Sequence, residues 1–189
     1  MKKIGIMGDI GAGKSYVAKN FGYPTFNADH EVSKIYKKNT KVFKKLKKAL
    51  PEYFNTFPVS KNEVTKAILA NQNNLKKIIK IIHAEVNKKM HFFLNKNKKA
   101  QIVILDIPLL LENKINKKND ILIFVQSKKK DILKRLEKRK NFNKILYNRF
   151  KKIQLPLDFK KKKSQFIIKN DFTKRTIKKY VNNILIKIL

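Results

Sequence analysis

The stretch Gly8-Asp9-Ile10-Gly11-Ala12-Gly13-Lys14-Ser15 has the residue types and spacing to hold a polyphosphate. It follows the pattern G-x-x-x-x-G-K-[ST]. Its glycines let successive backbone N–H groups converge on one point. Lys14 can neutralise β- and γ-phosphates, which makes it a candidate catalytic residue, and the Ser15 hydroxyl can ligate Mg²⁺. Lys3-Ile4-Gly5-Ile6-Met7 before the motif reads as a strand, and Tyr16-Val17-Ala18-Lys19-Asn20-Phe21 after it reads as a helix. That helix brings the positive end of its dipole beneath the same phosphates. A chance glycine-rich turn is the alternative, and strand, loop and helix in this order weigh against it. Gly8, Asp9, Ile10, Gly11, Ala12, Gly13, Lys14, Ser15 and Tyr16 are therefore the expected contacts of a nucleoside triphosphate.

Two carboxylates stand where phosphate chemistry needs them. Asp29 follows the apolar Phe26 by three residues, at the carboxyl end of an expected strand. That edge of a parallel sheet lines the ligand crevice, so Asp29 can accept the proton of an attacking hydroxyl; the alternative is a helix N-cap. Asp106 ends Ile102-Val103-Ile104-Leu105 and can position Mg²⁺, or else cap a neighbouring element. The apolar stretch Ile107-Pro108-Leu109-Leu110-Leu111-Glu112 after it carries a fixed bend and reads as packing. Arginine is scarce: Arg135, Arg139, Arg149 and Arg175 are the four in the chain. Arg135 and Arg139, spaced to share one helix face, suit a guanidinium that forks onto phosphate or stacks on a base. An exposed charged face is the alternative.

These groups must be carried by regular elements. Five short apolar runs read as buried strands: Ile4 to Met7, Tyr23 to Phe26, Ile102 to Leu105, Ile121 to Val125 and Phe166 to Ile168. Helical patterns separate them, the signature of a mostly parallel sheet covered on both faces. Helices are expected from Lys14 to Phe21, from near Asp29 toward Leu50, and from Lys61 to Leu94. Further helices are expected over Asp131 to Ile153, with a turn at Lys140-Asn141, and from Thr173 to Leu189. The long segment between the second and third strands exceeds a plain crossover and predicts a small helical subdomain over the substrate. Lys160 to Lys163 reads as a solvated helix end or loop.

Composition bounds the class. The 189 residues include no cysteine, which excludes disulfides and thiolate metal sites and is compatible with a cytoplasmic location. No apolar run approaches the roughly 18 residues of a membrane span, and Gly8-Asp9 interrupts the apolar start too early for a secretion signal. The net charge of +34, from 47 basic against 13 acidic residues, would ordinarily suggest a polyanion partner. The excess is almost all lysine, spread with asparagine along the whole chain, which also fits compositional drift.

Taken together the residues resemble the dephospho-coenzyme A kinase family, a bacterial member of the P-loop nucleoside-monophosphate-kinase-like group. The likeness covers Gly8 to Ser15, Asn27-Ala28-Asp29, Ile68-Leu69-Ala70-Asn71, Ile81-Ile82-His83 and Asp106-Ile107-Pro108-Leu109-Leu110-Leu111-Glu112. The last is the most specific match. The likeness continues through Arg135, Arg139, Gln154 and Ile168-Lys169-Asn170. The chain departs from the family pattern at Asn27, where an acid is usual, at Lys61-Asn62, at Ala84, at Ser164-Gln165, and at Phe172, which replaces a glycine.

The resemblance implies an α/β P-loop kinase fold: a five-stranded parallel sheet flanked by helices, with a helical acceptor-binding insert and a helical lid. The implied core is residues 1–28, 100–130 and 164–189, the insert about 29–97 and the lid about 131–163. The implied reaction moves the γ-phosphate of ATP, with Mg²⁺, to the ribose 3′-hydroxyl of dephospho-coenzyme A. Asp29 would orient or deprotonate that hydroxyl, Arg135 and Arg139 would act from the lid, and Asn170 would lie against adenine. His83, Pro108 and Leu109 would border the acceptor, and Ser15 and Asp106 the metal. No specific nucleic acid or membrane partner is expected, and the chain is expected to be a monomer or weak oligomer. A kinase of another nucleoside or nucleotide, and an ATP-dependent nucleic-acid-binding protein, are the competing readings.

Overall fold

A computed structural model describes residues 1–140 and 142–189. Five strands form one sheet: β1 (Lys2–Gly8), β2 (Thr25–Asn27), β3 (Ile102–Asp106), β4 (Ile121–Gln126) and β5 (Phe166–Lys169). Their order is β2-β3-β1-β4-β5, and every pairing is parallel. This is the sheet the apolar runs predict. β2 begins two residues later than expected, because Pro24 has no N–H for the ladder; its carbonyl still accepts from the Ile104 N–H at 2.9 Å. All five residues of β3 are buried, as are Ile4 and Ile6 of β1, which is why these strands read as continuous apolar runs.

The chain divides into two compact units. The first comprises residues 1–27, 97–143 and 150–189, and the second residues 28–96 and 144–149. The first unit holds the sheet with α1 (Lys14–Asn20), α6 (Lys129–Glu137), α8 (Leu157–Lys162) and α9 (Lys174–Ile188). α9 presents Ile177, Val181, Ile184 and Ile188 at helical spacing and packs on α1 and β5. Each such side chain buried stabilises the fold by about 1.5–3 kcal/mol.

The second unit is built on α5 (Gln72–Lys96), whose Leu75, Ile78, Ile82, Val86 and Met90 make one buried stripe. Against it pack α2 (Ala28–Lys38), α3 (Thr40–Ala49) and α4 (Lys61–Ala70). The two long helices expected here are each broken once, at an asparagine. The Asn39 side chain accepts from the Val42 N–H at 3.0 Å and caps α3; the Asn71 side chain accepts from the Asn74 N–H at 2.9 Å ahead of α5. Asparagine side chains compete with the helix for its own N–H groups, while the apolar periodicity runs on through the break. α7 (Lys144–Lys152) follows α6 across the expected turn, of which Asn141 lies outside the described residues.

Both ends of α4 are closed by side chains. Ser60 and Glu63 form a reciprocal capping box at its start, and Glu63 also accepts from the N–H groups of Asn55 and Thr56. At its end the Arg149 guanidinium donates to the Ile68 carbonyl and, at 2.9 Å, to that of Leu69. The positive fork thus satisfies two terminal carbonyls at the negative end of the helix. Among the described residues no helix is long and apolar enough to cross a membrane.

Burial pushes the Glu63 carboxyl up, but hydrogen bonds from the Ser60, Asn55 and Thr56 backbones and the Ser60 hydroxyl outweigh it and bring it down to about 2. A folded-state value below the ordinary 4.5 means the capping box stabilises fully above about pH 4.5 and fades as pH falls through about 2. Glu63→Gln should therefore lower the thermal midpoint near neutral pH by about 2 °C. Melts recorded across the acid range should show that difference shrinking as the wild-type carboxyl protonates.

Candidate active site

The phosphate loop starts where β1 ends. Gly8 has φ 144°, and a Cβ there would lie 2.5 Å from the Val125 carbonyl oxygen of β4. Only glycine lets the two backbones approach so closely. Gly13, at φ 89°, is the N-cap of α1, and a Cβ on it would meet Asn170 Nδ2 at 2.5 Å. α6 closes one side of the loop, since Ile132 and Leu136 lie 3.0 Å from where a Gly11 Cβ would stand. Lys14 Nζ folds back across the loop and donates to the carbonyls of Asp9 at 2.8 Å and Gly8 at 3.2 Å. An ammonium held there lies over the cradle that a β,γ-phosphate would fill.

The carbonyl of Ala12 sets the orientation of the cradle. It accepts from Ser127 Oγ at 3.1 Å, just past β4, and from Asn170 Nδ2 at 2.7 Å, just past β5. In a trans peptide the carbonyl and the next N–H point in opposite directions. Pinning this oxygen toward the ends of β4 and β5 therefore turns the Gly13 N–H away from them. Asn170 is 5% exposed, and its Oδ1 accepts from the Phe172 N–H at 2.8 Å, so its amide serves loop backbone on both sides.

Phe172 follows in an unusual state. Its φ of 66° is left-handed, a conformation that costs a bulky L-residue about 1–3 kcal/mol. The Arg135 guanidinium lies over its ring, 4.3 Å from the centroid. Beside it the Asp171 carboxyl accepts from the Thr173 backbone and the Thr176 and Thr173 hydroxyls, which hold its pKa below the usual range.

Asp106 ends β3 almost fully buried, and its Oδ2 accepts from Asn27 Nδ2 at 2.5 Å across the β2–β3 register pair. Asn27 thus donates where a second acid would repel. Asp106 and the exposed Ser15 hydroxyl are hard oxygen donors, and no cluster of three His, Cys, Asp or Glu occurs among the described residues. That donor set fits Mg²⁺, which binds through one or two protein oxygens plus waters and phosphates rather than an all-protein cage.

The remaining expected residues are placed as follows. Tyr16 is exposed on α1, Ile10 donates its N–H to Asp9 Oδ1 at 2.7 Å, and Pro108 and Leu109 are half-buried in the turn after β3. Arg139 does not share a helix face with Arg135: α6 ends at Glu137, and the Arg139 N–H closes a tight turn onto the Leu136 carbonyl. Asp29 and His83 belong to the second unit. Asp29 is the second residue of α2 and exposed, inside the first turn rather than at the N-cap, where its charge meets the helix's positive end. His83 is half-buried on α5.

Three features escaped the sequence reading. Ser127 supports the loop, and its position just past a parallel strand was the available signal. The Phe172–Arg135 stack had none. Lys160, expected to be solvated, is 1% exposed and pairs with Glu112 Oε1 at 2.5 Å. That oxygen also accepts from the Leu155 N–H at 3.0 Å, and Glu112 Oε2 has no hydrogen-bond partner among the described residues. The lysine run is a helix with one face turned inward, which a charge count does not show.

Comparison with known proteins bears on the family and the fold. The sequence profile of the dephospho-CoA kinase family matches residues 2–175. A dephospho-CoA kinase of Wolbachia pipientis wMel is 32% identical over 187 residues, spanning 96% of this chain and 95% of that protein. Among solved structures, a Thermus thermophilus protein superposes with a TM-score of 0.80 at 22% identity, over 100% of this chain and 98% of its own. A dephospho-CoA kinase from Campylobacter jejuni gives 0.64 at 19% identity, over 99% and 97%. At these identities the two structures speak for the fold.

If the Ala12 carbonyl orients the cradle, loosening it should cost nucleotide affinity before stability. Ser127→Ala should weaken ATP binding by about 2–10-fold, the worth of one hydrogen bond. Asn170→Ala should cost more, because it also strips the Phe172 N–H of its acceptor. Titration with a fluorescent ATP analogue measures both; unchanged affinities would remove Ser127 and Asn170 from the site.

Proposed function

The chain belongs to the dephospho-CoA kinase family, and from that membership we propose how its residues divide the work. The enzyme transfers the γ-phosphate of ATP to the ribose 3′-hydroxyl of dephospho-coenzyme A, the last step of coenzyme A biosynthesis. The observation that carries the reading is the phosphate loop itself, with Lys14 Nζ drawn onto the Gly8 and Asp9 carbonyls inside a cradle of glycines.

In the proposed mechanism the loop N–H groups and Lys14 bind the β- and γ-phosphates and offset the charge that builds as transfer proceeds. The acceptor oxygen bonds to the γ-phosphorus, the bond to the β,γ-bridging oxygen breaks, and ADP leaves with that electron pair. Asp29 takes the proton of the 3′-hydroxyl. Arg135 and Arg139, carried on a lid of about residues 131–163, neutralise the moving phosphoryl group. Mg²⁺, held by Ser15 and Asp106, would supply charge neutralisation between the phosphates. Asn170 lies against the adenine of ATP, and its amide also holds the Ala12 carbonyl of the loop. The helical segment of about residues 29–97, with His83, and the turn at Pro108 and Leu109 border the acceptor. We place the enzyme in the cytoplasm as a monomer or weak oligomer without a specific nucleic-acid partner.

Incubation of purified protein with ATP and dephospho-coenzyme A, followed by chromatography for coenzyme A, tests the reaction directly. Lys14→Ala should lower kcat by at least about 10²–10³-fold, the scale of losing one preorganised charge at the transition state. Asp29→Asn should cut kcat by about 10²–10⁴-fold with ATP affinity nearly intact. A kcat for Asp29→Asn within a factor of a few of wild type would assign the proton to another group.

A further inference from the structure

A bulky aromatic in the left-handed region persists only where its surroundings hold it there. At Phe172 they do. Its N–H is bound by Asn170 Oδ1, and the following turn is tied by Asp171 to the Thr173 N–H and to the hydroxyls of Thr173 and Thr176. The backbone is fixed on both sides of the strained residue, so the ring has a defined place. Its Cε1 and Cδ1 edge lies 3.5 and 3.7 Å from the Cβ position of Gly13, and the Arg135 guanidinium lies on its face, 4.3 Å from the centroid.

The ring therefore bridges the phosphate loop and an arginine from α6. Arg135 is exposed and makes no ion pair among the described residues, so the ring is what restricts its guanidinium. A planar guanidinium stacks on an aromatic face better than an ammonium does, which explains an arginine at this position in a chain otherwise committed to lysine.

We propose that Phe172 is a positioning residue for phosphoryl transfer: its ring holds the Arg135 guanidinium beside Gly13, poised over the phosphate loop before ATP arrives. The inference rests on the kinase reading above. It assigns Phe172 no contact with the reacting atoms; the ring shortens the search that Arg135 would otherwise make from solvent.

Phe172→Gly separates this from packing, because glycine relaxes the backbone at φ 66° while removing the ring. The thermal midpoint should stay level or rise. kcat should fall about 5–30-fold, with the KM for ATP changed by less than about threefold. Phe172→Tyr, which keeps the ring face, should restore kcat. In an Arg135→Ala background, Phe172→Gly should cost nothing further. Independently of turnover, the Arg135 side-chain protons should show ring-current upfield shifts in the NMR spectrum that vanish in Phe172→Gly. Wild-type kcat in Phe172→Gly, failure of Phe172→Tyr to restore it, or additive losses with Arg135→Ala would overturn the assignment. If the wild-type enzyme fails on dephospho-coenzyme A, the functional reading falls instead. The inference is then judged on the ring-current shifts, whose absence in the wild type would end it and whose presence there and loss in Phe172→Gly would sustain it.

Discussion

A single peptide oxygen joins the phosphate loop to two strand ends. The Ala12 carbonyl is held by donors from two different strand ends, Ser127 after β4 and Asn170 after β5. The order β2-β3-β1-β4-β5 makes this possible, because the loop after β1 opens beside β4, with β5 one strand further out. A phosphate loop has many glycines and correspondingly many conformations to lose. Fixing one of its peptides from outside removes much of that freedom before a ligand is present. Asn170 links the same peptide to the left-handed residue Phe172, so the loop, the turn after β5 and the Arg135 stack form one connected set.

Arginine and lysine carry different duties in this chain. The lysine excess of a +34 protein mostly covers solvent-facing positions, where a flexible ammonium serves as well as any cation. Two of the four arginines sit where planarity matters: Arg135 flat on the Phe172 ring, Arg149 forked onto the two carbonyls that end α4. Lys160 is the lysine that breaks the rule. Its burial against Glu112 ties α8 to the turn after β3, and removing either partner would leave a buried charge without compensation.

The two compact units divide the proposed chemistry. The residues proposed to serve the triphosphate, from Gly8 to Ser15 with Asp106, Ser127, Asn170 and Arg135, belong to the sheet-bearing unit. The proposed base, Asp29, opens the other unit, in the first turn of the helix that directly continues β2. The chain thus passes from the edge strand β2 into the proposed acceptor unit within two residues.

The sequence alone determined what short-range geometry encodes. The phosphate loop, its flanking strand and helix, the five apolar strands and the amphipathic stripes of α5 and α9 all follow from spacing within a few residues. The helix breaks at Asn39 and Asn71 were also local, yet the apolar period ran through them and hid the asparagine caps. Tertiary structure decided the choice of partner. Ser127 and Asn170 reach Ala12 across 115 and 158 residues, and Glu112 selects Lys160 out of a run of identical neighbours. A hydrogen bond or ion pair forms only between groups the folded sheet brings within about 3 Å, and no one-dimensional pattern records that distance. Phe172 shows the same limit: its residue type argues against a left-handed turn, and the surrounding hydrogen bonds impose one.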